Sequence, residues 1–463
     1  MDSRIVDVEI EELTPAGDGL AHSGRIRIAV PFTIPGERVR VRLDGGRNGR
    51  VVPALLEVLR TSPHRVRPQC IHFGPDAVPG LGACGGCAWQ HIAYPEQLRL
   101  KTAIVDRLVR AAVPRAPGAR LTLAATPLDH PWGYRNKVHF VFGTRAAPAS
   151  RRRGALVMGH YARGSRRVIP VEECPVHDER GNAFAFRAGD TFTAAGVTAA
   201  GTDRGVLRSL AVRVGCHTDE VMATLVVSSD GDRRLRSVTQ RLLEEHPPTS
   251  MHLNLHPRDD AFIFGPDTRR LRGPERLREE VAGASFLMSP SAFFQTNVRA
   301  AEVLVRLVLD ALPKACQVVD LYAGSGLFAI PLALAGHDVI AVEENRVSVA
   351  DGNAALRLNE AARPRCRFIA RRVEAALGSL RHADAVVLDP PRDGCSDAVL
   401  NDVFRRLRPA RVVYVSCNPE VLATELGAIA SRSYRIASLQ PVDMFPHTAH
   451  IETVVILERV ESV

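Results

Sequence analysis

The spacing of apolar and polar residues divides the chain into three stretches. Residues 4 to 60 form short alternating runs separated by turn signals, which predicts strands. From about 121 to 288 the runs stay strand-like, and from 290 onward strand-like and helical runs alternate regularly. The first stretch predicts a small β-barrel, and the last predicts a parallel sheet covered by helices on both faces.

One strongly amphipathic segment, 94–112, predicts a helix between the first two stretches. Its expected apolar side is formed by Leu98, Ile104, Val105, Leu108 and Val109. We therefore expect a multidomain α/β protein with an OB-like β-barrel over 1–62, a β-rich central domain over 63–288 and a Rossmann-like domain over 289–463. The helix at 94–112 is placed where it can pack on the third domain.

Composition narrows the class of protein. The 463 residues are 46% hydrophobic, no run of 18 apolar residues occurs, and the acidic N-terminus does not resemble a signal peptide. These features predict a soluble, cytoplasmic protein, which we expect to be a monomer. The formal charge is +9, and lysine occurs only at positions 101, 137 and 314, so nearly all basic side chains are arginine.

Three arginine-rich runs suit a polyanionic partner, although each by itself is also typical of a solvated face. They lie at 151–153, 163–167 and 269–270.

The nine cysteines are odd in number and unevenly spaced, which argues against structural disulfides and favours metal binding or catalysis.

A glycine-containing turn separates a strand from a helix in 315–335. Gly324 and Gly326 allow a tight turn beside a ligand, and the next strand ends in Glu343, whose carboxylate can accept hydrogen bonds from ribose hydroxyls. This pattern alone fits an NAD site, an S-adenosylmethionine site or a plain packing turn.

Other polar side chains end strands of the same predicted sheet. Asp320, Asp389 and Cys417 each follow an apolar run, and ligands bind beyond the carboxyl ends of parallel strands, so we expect these residues to meet at the glycine turn. A lone cysteine at such a position is usually a small buried residue, and it is reactive only in a polar, accessible setting. Pro390-Pro391 predicts a stiff loop, which suits either a bound base or a simple turn.

Five motifs together resemble the RNA (uracil-5-)-methyltransferase family, whose members use S-adenosylmethionine to make 5-methyluridine. They are SPSAFFQTN at 289–297, DLYAGSGLFAIPLA at 320–333, LDPPRDG at 388–394, YVSCNP at 414–419 and MFPHTAHIE at 444–452. The resemblance implies that Cys417 is the catalytic nucleophile and Glu452 the general base. It also implies a cofactor site formed by Gln295, Tyr322, Gly324, Gly326, Glu343 and Asp389.

Two details qualify the resemblance. Leu327 stands where some relatives carry asparagine, so no polar cofactor contact is expected there. His447 and His450 are expected to shape the loop before Glu452, without a catalytic or metal-binding role. The chemistry agrees with the assignment, because carbon 5 of uracil becomes nucleophilic only after a thiolate attacks carbon 6.

Four cysteines in the first half form a candidate metal site. Cys70, Cys84, Cys87 and Cys174 include one C-x-x-C pair, and four thiolates can hold zinc or an iron-sulfur cube. The resemblance favours a [4Fe-4S] cluster, because several ribosomal-RNA members carry one with a CGGC motif and a distant CP cysteine. The 13 residues between Cys70 and Cys84 are more than relatives usually have there.

The N-terminal segments GDGLAH and PGERVRV resemble the RNA-binding TRAM barrel. Barrel and cysteines together favour a uridine in 23S rRNA as the target, with a tRNA uridine as the alternative. A cytosine-5 methyltransferase matches the motifs less well; a catalytically inactive iron-sulfur RNA-binding protein and an NAD oxidoreductase are rival classes. Trp89, Tyr134 and Phe140 could stack on bases, although core packing is the default for each.

Overall fold

The computed structural model describes residues 4–45, 51–75, 77–113, 122–144, 155–202, 205–258, 260, 262–430 and 434–460. The arginine run at 151–153 lies outside these residues. Within them, no helix combines the length and apolarity needed to cross a membrane.

The N-terminal stretch forms two antiparallel three-stranded sheets, ordered β1-β5-β6 and β2-β3-β4. Their strands are β1 (Arg4–Glu9), β2 (Glu12–Leu13), β3 (Gly19–Ser23), β4 (Ile26–Val30), β5 (Arg38–Gly45) and β6 (Val51–Arg60). Alternate side chains of these strands, including Val8, Ile28, Val39 and Val41, point inward and form one small core shared by both sheets.

The middle of the chain forms a seven-stranded sheet ordered β13-β12-β11-β10-β7-β8-β9. Only β11 and β12 are parallel neighbours, and the helix α3 makes the crossover between them. The helices and strands that follow β6, in chain order, are α1 (Tyr94–Ala112), β7 (Lys137–Thr144), β8 (Leu156–Tyr161), β9 (Val168–Pro170), α2 (Glu179–Ala194), β10 (Leu207–Val214), β11 (Val221–Val227), α3 (Arg233–Glu245), β12 (Ser250–Leu255) and β13 (Asp267–Arg272).

The C-terminal stretch begins with a hairpin and continues as alternating helices and strands. Its elements are β14 (Leu277–Val281), β15 (Ala284–Met288), α4 (Val298–Ala311), β16 (Gln317–Leu321), α5 (Ala329–Leu334), β17 (Asp338–Glu343), α6 (Arg346–Leu356), β18 (Cys366–Ala370), α7 (Val373–Leu377), β19 (Ala385–Leu388), α8 (Asp397–Asn401), β20 (Arg411–Ser416), α9 (Pro419–Ala430), β21 (Tyr434–Val442) and β22 (Glu452–Arg459). A π-helical turn, Asp402–Leu407, continues α8.

Strands β16 to β22 form a second seven-stranded sheet, ordered β18-β17-β16-β19-β20-β22-β21. The first five strands in this order are parallel, and β22 runs antiparallel between β20 and β21. The order reverses at β16, because the chain first builds outward to β18 and then returns to place β19 on the other side. Such a switch point opens a crevice beyond the carboxyl ends of the strands.

Both faces of this sheet are buried, as its apolar strands require. Val318 contributes to a core shared with α4, whereas its neighbour Val319 contributes to a core shared with α1 and α9. The hairpin β14–β15 packs in the first of these cores, through residues such as Phe286. The expected boundary at residue 288 therefore falls within one continuous core.

The helix α1 occupies the predicted residues and packs against α9 and β21. Ile104, Val105 and Val109 are buried as expected, whereas Leu98 and Leu108 are only half-buried. Leu100 takes a core position, and the same face also buries three polar side chains, those of Glu96, Gln97 and Lys101. This polar strip was not predicted.

Candidate active site

The strand ends at the switch point enclose a cavity of about 810 Å³. Glu452 reaches it from β22, whose antiparallel direction brings its first residue to the edge where the parallel strands end. Among the predicted site residues, those that line the cavity are Gln295, Tyr322, Gly324, Glu343, Asp389, Cys417 and Glu452.

The glycine turn forms one side of the cavity, and its two glycines do different things. Gly324 lines the cavity at φ +56°, and its N–H donates to Glu343 Oε2 at 2.9 Å. Gly326 does not line the cavity. At φ +90°, a Cβ on Gly326 would lie 2.8 Å from Phe368 Cζ, so this glycine allows the turn to pack closely on the sheet.

Of two acidic residues in the sheet, Glu343 lies at the rim of the cavity and Asp320 is buried outside its lining. The carboxylate of Glu343 is fixed at the cavity rim by the N–H groups of Gly324 and Asn345. Asp320 was expected to face the cavity, but it is fully buried beneath the turn and is not part of the lining. Burial and the neighbouring Asp389 raise the pKa of Asp320 well above its ordinary value.

The turn that presents Cys417 is built by its neighbours. Asn418 N–H donates to Ser416 Oγ, and Asn418 Oδ1 accepts from Glu420 N–H at 3.1 Å at the start of α9. Asn418 Nδ2 also donates to Arg392 O at 3.1 Å, which ties the turn to the loop after β19. Cys417 is consequently held half-buried at the cavity wall.

Electrostatics couple the thiol to two carboxyl groups. Burial, then Glu452 and Asp389, raise the pKa of Cys417 to about 11, and Arg392 opposes this shift. Burial and Asp389 raise the pKa of Glu452 well above its ordinary value, and burial raises that of Asp389 to about 7. The surroundings thus favour the neutral forms of the thiol and of both carboxyl groups.

The C-terminal sequence and the whole fold match known proteins. Residues 274–460 match the family model described as tRNA (Uracil-5-)-methyltransferase. An uncharacterized RNA methyltransferase of Gloeobacter violaceus is 35% identical over 99% of this chain and 97% of its own length. One from Thermosynechococcus vestitus is 34% identical, with 98% and 97% covered. The chain belongs to the RNA (uracil-5-)-methyltransferase family.

A solved structure extends the similarity to the complete architecture. The crystal structure of Pyrococcus abyssi tRNA (uracil-54, C5)-methyltransferase, in complex with S-adenosyl-L-homocysteine, superposes with a TM-score of 0.77. It is 26% identical and covers 97% of this chain and 99% of its own. The protein is an S-adenosylmethionine-dependent RNA methyltransferase, and an NAD oxidoreductase is excluded.

A second cavity of the methyltransferase, about 720 Å³ in volume, contains the four predicted metal-binding cysteines. The two cavities share the lining residues Phe293, Gln295, Arg392, Phe445 and His450. Burial raises the pKa of all four thiols; that of Cys87 reaches about 12.

Two histidines beside Cys174 were not predicted as possible ligands. His160, Cys174 and His177 offer ligand atoms that all lie within 4.8 Å of one another. The spacing of Cys174 and His177 in ECPVH could have indicated the second histidine. Nothing in the sequence around His160 indicates that β8 brings it to the same place.

The three candidate stacking aromatics belong to the core. Trp89 and Phe140 are completely buried and Tyr134 is 5% exposed. The indole N–H of Trp89 donates to Gly17 O at 2.8 Å, which joins the N-terminal sheets to the cysteine-rich segment. None of the three can stack on a base in this structure, so their default assignment to the core is correct.

Proposed function

We propose that the methyltransferase modifies carbon 5 of an RNA uridine through a covalent adduct between Cys417 and carbon 6. The observation that carries the proposal is the placement of Cys417 and Glu452 in one cavity, close enough for the carboxyl group to raise the pKa of the thiol. A nucleophile and a base that face the same substrate are what this reaction needs.

The two side chains act in sequence on the uracil ring. The Cys417 thiolate adds to carbon 6, and the electrons of the 5,6 double bond make carbon 5 an enolate carbon. That carbon would take the methyl group of S-adenosylmethionine, whose sulfonium–methyl bond breaks to leave S-adenosylhomocysteine. Glu452 then takes the proton from carbon 5, the carbon–sulfur bond breaks, and the thiolate leaves as the double bond re-forms.

The charges in the cavity connect cofactor binding to activation of the thiol. With a pKa of about 11, Cys417 is a neutral thiol at pH 7 when the cavity is empty. A positive charge placed in the cavity stabilises the thiolate of Cys417, and it also stabilises the ionised forms of Asp389 and Glu452. A cationic methyl donor would therefore both fill the site and activate its nucleophile.

The cofactor-binding residues can be assigned in groups. Glu343 is oriented by two backbone N–H groups and retains lone pairs for ribose hydroxyls. Gln295, Tyr322 and Asp389 approach from other sides of the cavity. Gly324 allows close approach of the backbone, whereas Gly326 acts through packing rather than by contact.

We also propose that the four cysteines hold a [4Fe-4S] cluster. All four line one cavity, and the donor set consists of thiols, which suits such a cluster. Four thiolates bound to a single zinc lie within roughly 4 Å of one another, given Zn–S bonds of about 2.3 Å. Among the described residues, the compact donor group at this site is instead Cys174 with His160 and His177, all within 4.8 Å of one another, so zinc is the alternative to the cluster.

For the RNA target we propose 23S rRNA, on the joint presence of the cysteine set and the N-terminal β-segment. A tRNA uridine is the second candidate. It is favoured by the similarity to the Pyrococcus abyssi enzyme, which acts on tRNA and shares the architecture over 97% of this chain. The N-terminal sheets, with exposed arginines such as Arg25, Arg27 and Arg60, are the proposed RNA-binding module.

The test incubates anaerobically purified protein with methyl-labelled S-adenosylmethionine and separate, unmodified 23S rRNA and tRNA substrates. Mass spectrometry of the nucleosides should find labelled 5-methyluridine in 23S rRNA. Label confined to tRNA would overturn the 23S assignment and keep the chemistry. Labelled 5-methylcytidine, or RNA binding without any methylation, would overturn the proposed reaction.

A further inference from the structure

The segment that leads into Glu452, Asp443–Ile451, will be called the base loop. It joins the edge strand β21 to β22 and forms the wall between the two cavities, because Phe445 and His450 line both of them. The placement of this wall decides what surrounds the carboxyl group of Glu452.

Side-chain and backbone groups from outside the base loop donate hydrogen bonds to its backbone carbonyl oxygens. Met444 O accepts from Asn297 Nδ2 at 2.8 Å, and Pro446 O accepts from Tyr134 Oη at 3.0 Å. His447 O accepts from the N–H groups of Ala88 and Trp89, both at 2.9 Å, directly after Cys87. The base loop is thus held by three distant segments of the chain.

The helix α1 adds further buried contacts. Lys101 Nζ donates to Asp443 Oδ1 at 2.5 Å and to Phe445 O at 3.1 Å, and neither Lys101 nor Asp443 is exposed. Gln97 Oε1 accepts from His447 N–H at 2.8 Å, and Gln97 Nε2 lies 3.1 Å from His447 Nδ1.

His447 needs these contacts because its backbone is in the left-handed region, at φ +65°. Non-glycine residues rarely adopt this conformation unless the surroundings impose it. Its ring is stacked on Trp132, with centroids 3.7 Å apart, while Gln97 binds both its N–H and its ring. The base loop therefore has a conformation that is imposed by its neighbours.

We propose that Gln97 and Lys101 are positioning residues for proton removal by Glu452. This inference rests on the proposed covalent reaction. They hold the base loop so that the carboxyl group meets the carbon-5 proton of the methylated adduct. Addition of Cys417 and methyl transfer do not require that contact, so a displaced loop delays the last step more than the first ones.

The predicted consequence is a kinetic signature. When the base is displaced, the covalent protein–RNA adduct forms and carries the transferred methyl group, but it resolves slowly. Loss of geometry of this kind commonly lowers turnover by about 10–100-fold. General destabilisation would instead lower the active fraction without causing the adduct to accumulate.

The test uses Gln97→Leu, which at nearly constant volume removes both contacts with His447 and the hydrogen bonds from Gln97 Nε2 to Trp89 O and Ile92 O. Its matched control is Gln240→Leu on the exposed face of α3, where Gln240 Nε2 donates to Glu244 Oε1 at 2.8 Å. Lys101→Met is the second variant, with Lys314→Met at an exposed position as its control. Because Lys101→Met leaves Asp443 buried without its cation, it is read together with thermal melting.

The readouts are kcat, KM for RNA, and the fraction of protein in a methyl-labelled RNA adduct on denaturing gels. Gln97→Leu should keep its folded state and KM, lose about 10–100-fold in kcat and accumulate the adduct, as Glu452→Gln should. If Glu452→Gln accumulates the adduct and folded Gln97→Leu does not, the positioning role is overturned. If Glu452→Gln turns over normally, the proposed base and this inference both fail.

Discussion

The two cavities of the methyltransferase share a wall but are built in different ways. The catalytic cavity lies at the ends of strands of one sheet, so the sheet topology alone brings together Asp389, Cys417 and Glu343. The cysteine cavity is assembled from loops, with Cys70 and Cys174 more than a hundred residues apart. A sheet edge can be derived from a pattern of strands, whereas the meeting of loops depends on the complete fold.

Among the substitutions that distinguish the two cavities, the largest loss of methylation activity is expected at Cys417 in the catalytic cavity. Cys417→Ala should lower the rate of RNA methylation by at least about 10⁴-fold, since removal of a catalytic nucleophile costs this much or more. Cys216→Ala, at a half-buried cysteine outside both cavities, is the control and should retain activity. Comparable activity of the two variants in the labelled-methyl assay would refute covalent catalysis.

Substitution of a proposed cluster ligand in the cysteine cavity should lower the metal content of the protein. It should leave the catalytic cavity able to bind its cofactor. If the proposed cluster is present, elemental analysis of anaerobically purified protein should find iron and sulfide in the wild type and much less of both per chain in Cys87→Ser. S-adenosylhomocysteine binding, followed by calorimetry, should change less than tenfold. Undiminished iron in Cys87→Ser, or zinc alone in the wild type, would contradict the cluster assignment.

The rate at which Cys417 is alkylated tests the electrostatics of the catalytic cavity. Because its pKa is raised to about 11, the thiolate fraction grows with pH, and alkylation by iodoacetamide should accelerate about tenfold per unit between pH 7 and 9. At fixed pH, S-adenosylmethionine should accelerate alkylation relative to the uncharged S-adenosylhomocysteine, which has nearly the same shape. A rate that is already constant above pH 7 would contradict the raised pKa.

The smallest expected effect concerns stability. The pKa of Asp389 is raised from 3.8 to about 7, so the folded state binds this proton more tightly than the unfolded chain does. Its stabilising contribution is complete below about pH 4 and is lost as the pH rises through 7. Asp389→Asn should therefore raise Tm more at pH 8 than at pH 5, by about 2–4 °C for each kcal/mol. An equal change in Tm at both values of pH would refute this.

The sequence indicated much of the catalytic sheet for a physical reason. Each parallel strand is a short apolar run, and residues directly after such runs, including Asp389 and Cys417, are brought to one edge by any doubly wound sheet. Asp320 shows the limit of that rule. It lies within β16, one residue before the strand ends, and its side chain is buried beneath the edge of the sheet. The helix α1 could be located by its period of 3.6 residues.

What could not be predicted is the polar side of α1. Lys101 interrupts the apolar face and would ordinarily be assigned to solvent, yet it is buried because Asp443, 342 residues away, supplies its charge partner. The sequence sets Lys101 apart only as one of three lysines in a chain whose other strongly basic side chains are arginine. Its partner can be identified only from the fold.

The central claim is that Cys417 becomes bonded to carbon 6 of an RNA uridine in the catalytic cavity. RNA that contains 5-fluorouridine tests it directly, because carbon 5 then lacks the proton that Glu452 would remove, and the adduct cannot resolve. After digestion, mass spectrometry should find a peptide containing Cys417 joined to a methylated fluorouridine nucleotide. A linkage through another cysteine, or no linkage under conditions where ordinary uridine is methylated, would contradict the account.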